Sequence, residues 1–129
     1  MINFPQNYKF FLIYQLPLFV GFQKKLTFVS LTNMEEYMEY LVHYVWKHRI
    51  YGASPLVTSD GQTVEVIDPG VHNMLNAGPD FFNAKIKLNG MLWAGNVEIH
   101  EQASDWYAHH HEIDAAYNNV ILHVVTNIN

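Results

Sequence analysis

Asn89-Gly90 stands between two runs in which apolar and polar residues alternate, Asp80 to Leu88 and Met91 to His100. An Asn-Gly pair in that setting makes a two-residue type I′ turn, because both central residues adopt positive φ at little cost. The turn sets the register of its strands: Leu88 opposite Met91, Ile86 opposite Trp93, Ala84 opposite Gly95, Phe82 opposite Val97. One continuous apolar face results. A chain with this hairpin at its centre must build a sheet, and the remaining elements must cover it.

A helix precedes the hairpin. Thr32 and Glu35 fit a capping box, and Tyr37, Leu41, Tyr44, Val45 and His48 recur at helical spacing, with Met38 and Val42 on a flank. Lys47, His48 and Arg49 suit the last turn of such a helix, and Gly52 is placed to close it. Ser59-Asp60-Gly61 reads as a turn, Thr63 to Ile67 as a short strand ended by Asp68-Pro69-Gly70, and Val71 to Pro79 as loop. Asn73 and Asn76 read there as turn residues first and as part of an active-site loop second. After the hairpin, Ser104 to Tyr117 reads as a helix or a broken helical connection. Asn119 to Val125 (NVILHVV) is a buried-type strand reached by a crossover. The expected class is α/β, an α+β mixed sheet in the order helix, three strands, helix, strand.

The 129 residues suffice for one domain. Its expected span is residues 34–129, with residues 1–33 as an apolar extension or a mis-assigned start. The segment KFFLIYQLPLFVG is too short to span a bilayer, which takes about 20 apolar residues. Its exposed apolar surface would suit association with a partner chain. The chain ends in TNIN directly after a buried-type strand, as if cut short. It has no cysteine, which removes disulfides, thiolate metal ligands and a cysteine nucleophile. With no secretory signal pattern either, the expected location is cytoplasmic.

Charge is unevenly spread. The formal net charge is −5, but the first 52 residues are net positive, and beyond them only Lys85 and Lys87 oppose nine carboxylates. Six of the eight histidines lie in that acidic part. Carboxylates and imidazoles gathered together are the material of a divalent-metal site, although an acidic solvated face with incidental histidines has the same composition. The acidic balance argues against an all-over basic nucleic-acid binder.

Three segments carry candidate chemistry: Gly78-Pro79-Asp80, Glu98-Ile99-His100, and Asp105 through His109-His110-His111 to Asp114. Glu98 and His100 are two apart on one strand and share a face; with a third carboxylate they could hold Mg²⁺ or Mn²⁺, which activates water and neutralises phosphate charge. An ideal hairpin sets Asp80 opposite Ile99, on the wrong face. A shared site therefore needs a bulge, for which Gly95 is a candidate, or an Asp80 lying outside the ladder. Carboxylates farther than about 8 Å apart would exclude a single metal between them. On a helix, His110 and Asp114 would pair at i,i+4, and His109 would share a face with Ile113. Trp93 and Trp106 read as core or flanking aromatics, and His123 as a satisfied core histidine.

Pro79-Asp80, a hairpin and Glu98-Ile99-His100 together resemble the PD-(D/E)xK nuclease signature, with His100 where that pattern has lysine. The stretches VEVIDPGVHN, NAGPDFFNAKI, GNVEIHEQASDWYAHHH and YNNVILHVV, with the helix EEYMEYLVHYVWKHRIYG, resemble a bacterial uncharacterised family, domain of unknown function 2851, over roughly Met34 to Val125. Members of that family are normally much longer, so the chain looks like their N-terminal part. The nuclease resemblance implies Asp80 and Glu98 as metal carboxylates and His100 beside the attacking water, as ligand or general base. It implies Mg or Mn as cofactor and nucleic acid as partner. A helix carboxylate, Glu36 or Glu39, is a further candidate, and Asp105, His109 and His111 form a second tier. The alternatives are a non-catalytic binding or assembly module that keeps the fold, and a structural zinc site built from His100 and the triple histidine.

Overall fold

The computed structural model describes residues 9–12, 34–51, 55–127 and 129. The expectations placed on residues 1–33, Thr32 of the capping box included, and on Gly52 lie outside these, apart from Lys9–Leu12, which form β1. Then follow α1 (Met34–His48), β2 (Leu56–Val57), β3 (Thr63–Asp68), β4 (Val71–His72), β5 (Phe81–Leu88) and β6 (Met91–Gln102). After β6 come a single helical turn α2 (Asp105–Ala108), two 3₁₀ turns (His111–Ile113, Ala115–Tyr117) and β7 (Val120–Asn127).

The strands form one mixed sheet in the order β1-β7-β6-β5-β3-β2, with β4 added to β5. β3, β5 and β6 run antiparallel in sequence, whereas β6–β7 and β1–β7 are parallel. The crossover from β6 to β7 is the broken helical connection, as expected. β7 is covered on both faces: Leu122, His123, Val124 and Val125 are all fully buried, as a central parallel strand requires.

Helix α1 packs Val42, Val45 and Trp46 onto Val64, Phe81, Ala84, Ile86, Leu88, Val97, Ile99, Leu122 and Val124. The buried stripe is thus Met38, Val42, Val45 and Trp46, while Tyr37 and Tyr44 are exposed. This corrects the sequence reading, which centred the face on Tyr37, Leu41, Tyr44, Val45 and His48 with Met38 and Val42 on a flank; of the central five only Val45 is buried, and the flank is the true centre. Trp46 decides the rotation: its large ring is wholly buried, and its indole N–H donates to Pro69 O at 3.0 Å. Arg49, at φ 55°, ends the helix. Its N–H bonds to Trp46 O and that of Ile50 to Val45 O, the paired bonds of a Schellman cap.

The hairpin register holds from Leu88–Met91 to Ala84–Gly95. The outer part of the apolar face runs past the core, and Met91 and Trp93 are exposed. Beyond Ala84 the register changes: Val97 pairs with Phe81, not Phe82. The bulge therefore lies on β5, where Phe82 and Asn83 oppose Asn96, and not at Gly95. Asn83 takes the left-handed conformation (φ 57°), which asparagine tolerates better than most residues, and its N–H donates to Asn96 Oδ1 at 3.2 Å.

Gly70 backs this bulge. Its φ is +91°, and an added Cβ would stand 2.7 Å from Phe82 O and 3.1 Å from Ala84 N. Asp68 Oδ1 accepts from Gly70 N, and β4 follows at once to pair with Phe81 and Phe82, where the sequence suggested only loop. Gly70→Ala is expected to cost about 2–4 kcal/mol from backbone strain and overlap together. Gly61→Ala, also at positive φ but with nothing among the described residues within 4 Å, is expected to cost about 1 kcal/mol. Urea unfolding of the two variants separates the terms, and equal losses would show that close approach to the bulge is unimportant.

Candidate metal centre at the β5–β6 bulge

The bulge removes the conflict that an ideal hairpin poses. With Val97 opposite Phe81, Asp80, which lies just before β5 and outside its ladder, is brought beside Glu98. Each carboxyl accepts from a backbone N–H of the other's segment. Asp80 N donates to Glu98 Oε2 at 3.1 Å, and Ile99 N to Asp80 Oδ2 at 2.8 Å. The loop that delivers Asp80 is organised by Asn73. Its Nδ2 donates to Asn76 O and to Pro79 O at 3.0 Å, its Oδ1 accepts from Asn76 N, and its own N–H bonds to Asp80 O. Asn73 is thus a turn residue whose turn positions Asp80.

Helix α1 contributes His43, one turn beyond Glu39. His43 Nε2 stands 3.4 Å from Asp80 Oδ2 and 3.8 Å from Glu39 Oε1. Its other nitrogen, Nδ1, lies 3.0 Å from His72 Nε2 on β4, and the His72 ring stacks on Phe81. One donor atom each from Glu39, His43 and Asp80 fall within 4.8 Å of one another. His43 and His72 were not singled out from the sequence. The available signal was the i,i+4 spacing of Glu39 and His43 on a helix already suspected of supplying a carboxylate.

On the opposite face of the sheet from the α1 core, Glu98 and His100 point beneath the β6–β7 connection. Glu98 Oε1 is 3.4 Å from both His100 Nε2 and His111 Nε2, and His100 Nε2 is 3.2 Å from His109 Nδ1. The expected His110–Asp114 pair does not form, because α2 ends at Ala108. His110 instead adopts the left-handed conformation (φ 58°, ψ 32°), which turns His109 and His111 to one side and His110 outward, nearest Glu112 at 3.9 Å. His111 is held by Tyr117, stacked on it at 3.8 Å between ring centres. Trp106 is buried against His111 and His123, as a core aromatic. His123, expected in the core, is fully buried, and its Nε2 meets His100 Nδ1 at 2.7 Å.

Asp80, Glu98 and His100 therefore converge, with Glu39, His109 and His111 around them. Asp105 stands at the edge: its Oδ2 accepts from Gln102 N. A groove of about 530 Å³ opens beside the cluster, lined among others by Glu36, Glu39, His43, Glu101, Asp105 and His109. It gives a solute access to a centre whose inner members are almost wholly buried.

Burial governs the protonation states. It pushes the Glu98 carboxyl up to about 10, with the Asp80 charge adding to the effect. Burial takes the His100 imidazole down to about 3, helped by His109 and His111. His123 is likewise held well below its ordinary value by burial and then by His100, and His111 is lowered by burial and His109. Glu98 is thus a neutral carboxylic acid beside the neutral imidazoles of His100, His111 and His123.

Glu98 keeps its proton in the native state up to about pH 10 but loses it near 4.5 when unfolded, so stability falls as pH rises through that interval. His100 and His123 stay neutral in the native state where the unfolded chain takes up protons, so stability also falls as pH drops below about 6.5. In the presence of chelator, stability is expected to peak between about pH 6 and 7, changing by roughly 1.4 kcal/mol per pH unit for each uncompensated proton. Glu98→Gln should remove the alkaline limb and keep the acid one. Melting curves measured from pH 5 to 9 check this, and a flat profile contradicts it.

Among the described residues, no helix is long and apolar enough to cross a membrane. No curated protein and no solved structure matches the chain. The family model DUF2851, protein of unknown function, matches residues 39–129. That span begins at Glu39 of α1, runs through β7 and includes every residue of the cluster. The chain belongs to the DUF2851 family.

Proposed function

We propose that this chain is a metal-dependent phosphoester hydrolase domain of the nuclease type, with Asp80 and Glu98 as the carboxylates that hold Mg²⁺ or Mn²⁺. The observation that carries the reading is the bulge at Phe82-Asn83, which costs ladder pairing and has the effect of setting two carboxyls against each other beside a groove. Bulges next to active sites commonly re-aim a side chain in this way. The element order adds support: α1, the strands β3, β5 and β6, the helical connection and β7 follow the order helix, three strands, helix, strand, which is similar to the core that the PD-(D/E)xK resemblance implies.

The groove lining supports a cation as well. Glu36, Glu39, Glu101 and Asp105 face any solute that enters, and an anionic phosphodiester meets repulsion there unless a metal ion offsets it. His43, at 3.4 Å from Asp80, adds a nitrogen donor, which favours Mn²⁺ over Mg²⁺. A divalent ion at this point supplies charge neutralisation and a more acidic bound water. The protein's own contribution is to fix the two carboxyls through backbone N–H groups, to orient His43 through His72, and to hold neutral His100 where it can ligate or accept a proton. The substrate class is a phosphodiester, of which a nucleic-acid backbone is the natural example.

Calorimetric titration with Mn²⁺ tests the reading, together with hydrolysis of a synthetic phosphodiester in the same buffer. One ion per chain is expected at the carboxylate site. Asp80→Ala and Glu98→Ala should each weaken binding by roughly 100-fold or more, since even residues behind metal ligands contribute 10–100-fold. Asp80→Asn keeps the shape and should lose turnover. Mn²⁺ binding indifferent to both residues, or no binding with no turnover, contradicts the proposal; the second result leaves a non-catalytic module in its place.

A further inference from the structure

We propose a second metal site, formed by His100, His109 and His111, that takes a borderline transition ion of the Zn²⁺ class with its open position toward the groove. It goes beyond the hydrolase reading, because it requires no turnover and does not use Asp80.

The donor geometry is already close to that of a bound ion. One nitrogen from each of the three rings lies within 4.8 Å of the others, and His100 Nε2 and His109 Nδ1 are 3.2 Å apart. Bonds of about 2.0–2.1 Å to a tetrahedral zinc ion set neighbouring donors about 3.3–3.4 Å apart. Imidazole is a preferred ligand of this class of ion.

Two features of the chain have no better account. Among the described residues, His111 Nε2 is buried with no hydrogen-bond partner, and it faces the Glu98 Oε1 and His100 side of the cluster. A buried orphan nitrogen costs about 1–3 kcal/mol unless something binds it. His110 occupies the left-handed region, which a residue with a Cβ enters at a cost of about 1–2 kcal/mol. Its conformation is what places two histidines, separated by one residue, on the same side.

The surroundings orient the ligands. When His100 Nδ1 donates to His123 Nε2, 2.7 Å away, the Nε2 lone pair is left for the ion, as metal-bound histidines commonly require. Tyr117 fixes the His111 ring by stacking. His109 lines the groove, so three protein ligands leave the fourth position reachable, the pattern of a reactive rather than a closed structural zinc site. Glu98, against His100 and His111 on one side and Asp80 on the other, lies between the two sites.

The test loads the full chain with Zn²⁺, removes excess, and measures zinc per chain and affinity by competition with a chromophoric chelator. One zinc per chain is expected in the wild type and in Asp80→Ala. His109→Ala changes an exposed residue and should weaken zinc by about 100-fold with its far-UV spectrum unchanged; the neighbouring His110→Ala should change it less than about 3-fold. For the buried position, His111→Asn replaces the donor with a polar side chain and should also lose zinc, with its far-UV spectrum confirming the fold. Co²⁺ in place of zinc should give the intense visible absorption of a four-coordinate ion. Zinc that does not bind stoichiometrically, that is insensitive to His109, or that is lost in Asp80→Ala overturns the second site. None of these results decides the carboxylate reading, which stands or falls on Mn²⁺ with Asp80 and Glu98.

Discussion

The one-residue bulge on β5 is the constraint on which the rest of the centre depends. A strand has a side-chain period of two, so a single inserted residue exchanges the faces of everything beyond it. Here Phe82 and Asn83 oppose Asn96. The insertion keeps Ala84, Ile86 and Leu88 in the core under α1 and at the same time sets Phe81 opposite Val97 and brings Asp80, just outside the ladder, beside Glu98. Without it, Asp80 would meet Ile99, and the buried Glu98 would have no carboxyl partner. Gly70 and β4 hold the bulge from outside, and Asn73 holds the loop that enters it.

Glu98 in turn organises the polar interior. A carboxyl buried this deeply is costly when charged and acceptable when neutral or paired with a cation. Around it and Asp80 stand imidazoles, and two of these are braced by a further histidine: His43 by His72, and His100 by His123. The repetition is informative. In both pairs one ring nitrogen is engaged away from the carboxyls while the other faces them, an orientation that readies each ring to give a lone pair to a bound ion. Six of the eight histidines are drawn into one contiguous network in this way.

Much of this was legible in the sequence, and the failures have identifiable causes. Asn89-Gly90 predicts the hairpin and its register over five positions, because a two-residue turn leaves no slack. The order of the main elements, the buried β7 and the broken connection after β6 follow from periodicity and turn residues, whereas the two-residue strands β2 and β4 are too short to leave a pattern. The rotation of α1 was misjudged because tyrosines at positions 37 and 44 match helical spacing as well as Met38 and Trp46 do, and only the sheet beneath distinguishes them. The need for a bulge was evident from Asp80 and Glu98, but its place was not. Glycine at 95 suggested itself, whereas Asn83 adopts the positive φ. The left-handed turn at His110 was not legible: histidine is among the residues enriched in that region, but nothing in the run His109-His110-His111 marks which of the three adopts it. The partnership of His43 with Asp80 joins residues far apart in the chain and becomes visible only once α1 is docked.

Shortening β5 by one residue tests the central claim most directly. Deleting Asn83 restores a regular ladder, returns Asp80 to the position opposite Ile99, and leaves every ligand-type side chain in the protein. The account predicts that this variant keeps its far-UV spectrum and cooperative unfolding while Mn²⁺ affinity, measured by calorimetry, falls by roughly 100-fold or more. A folded variant that binds Mn²⁺ as the unaltered chain does would contradict it.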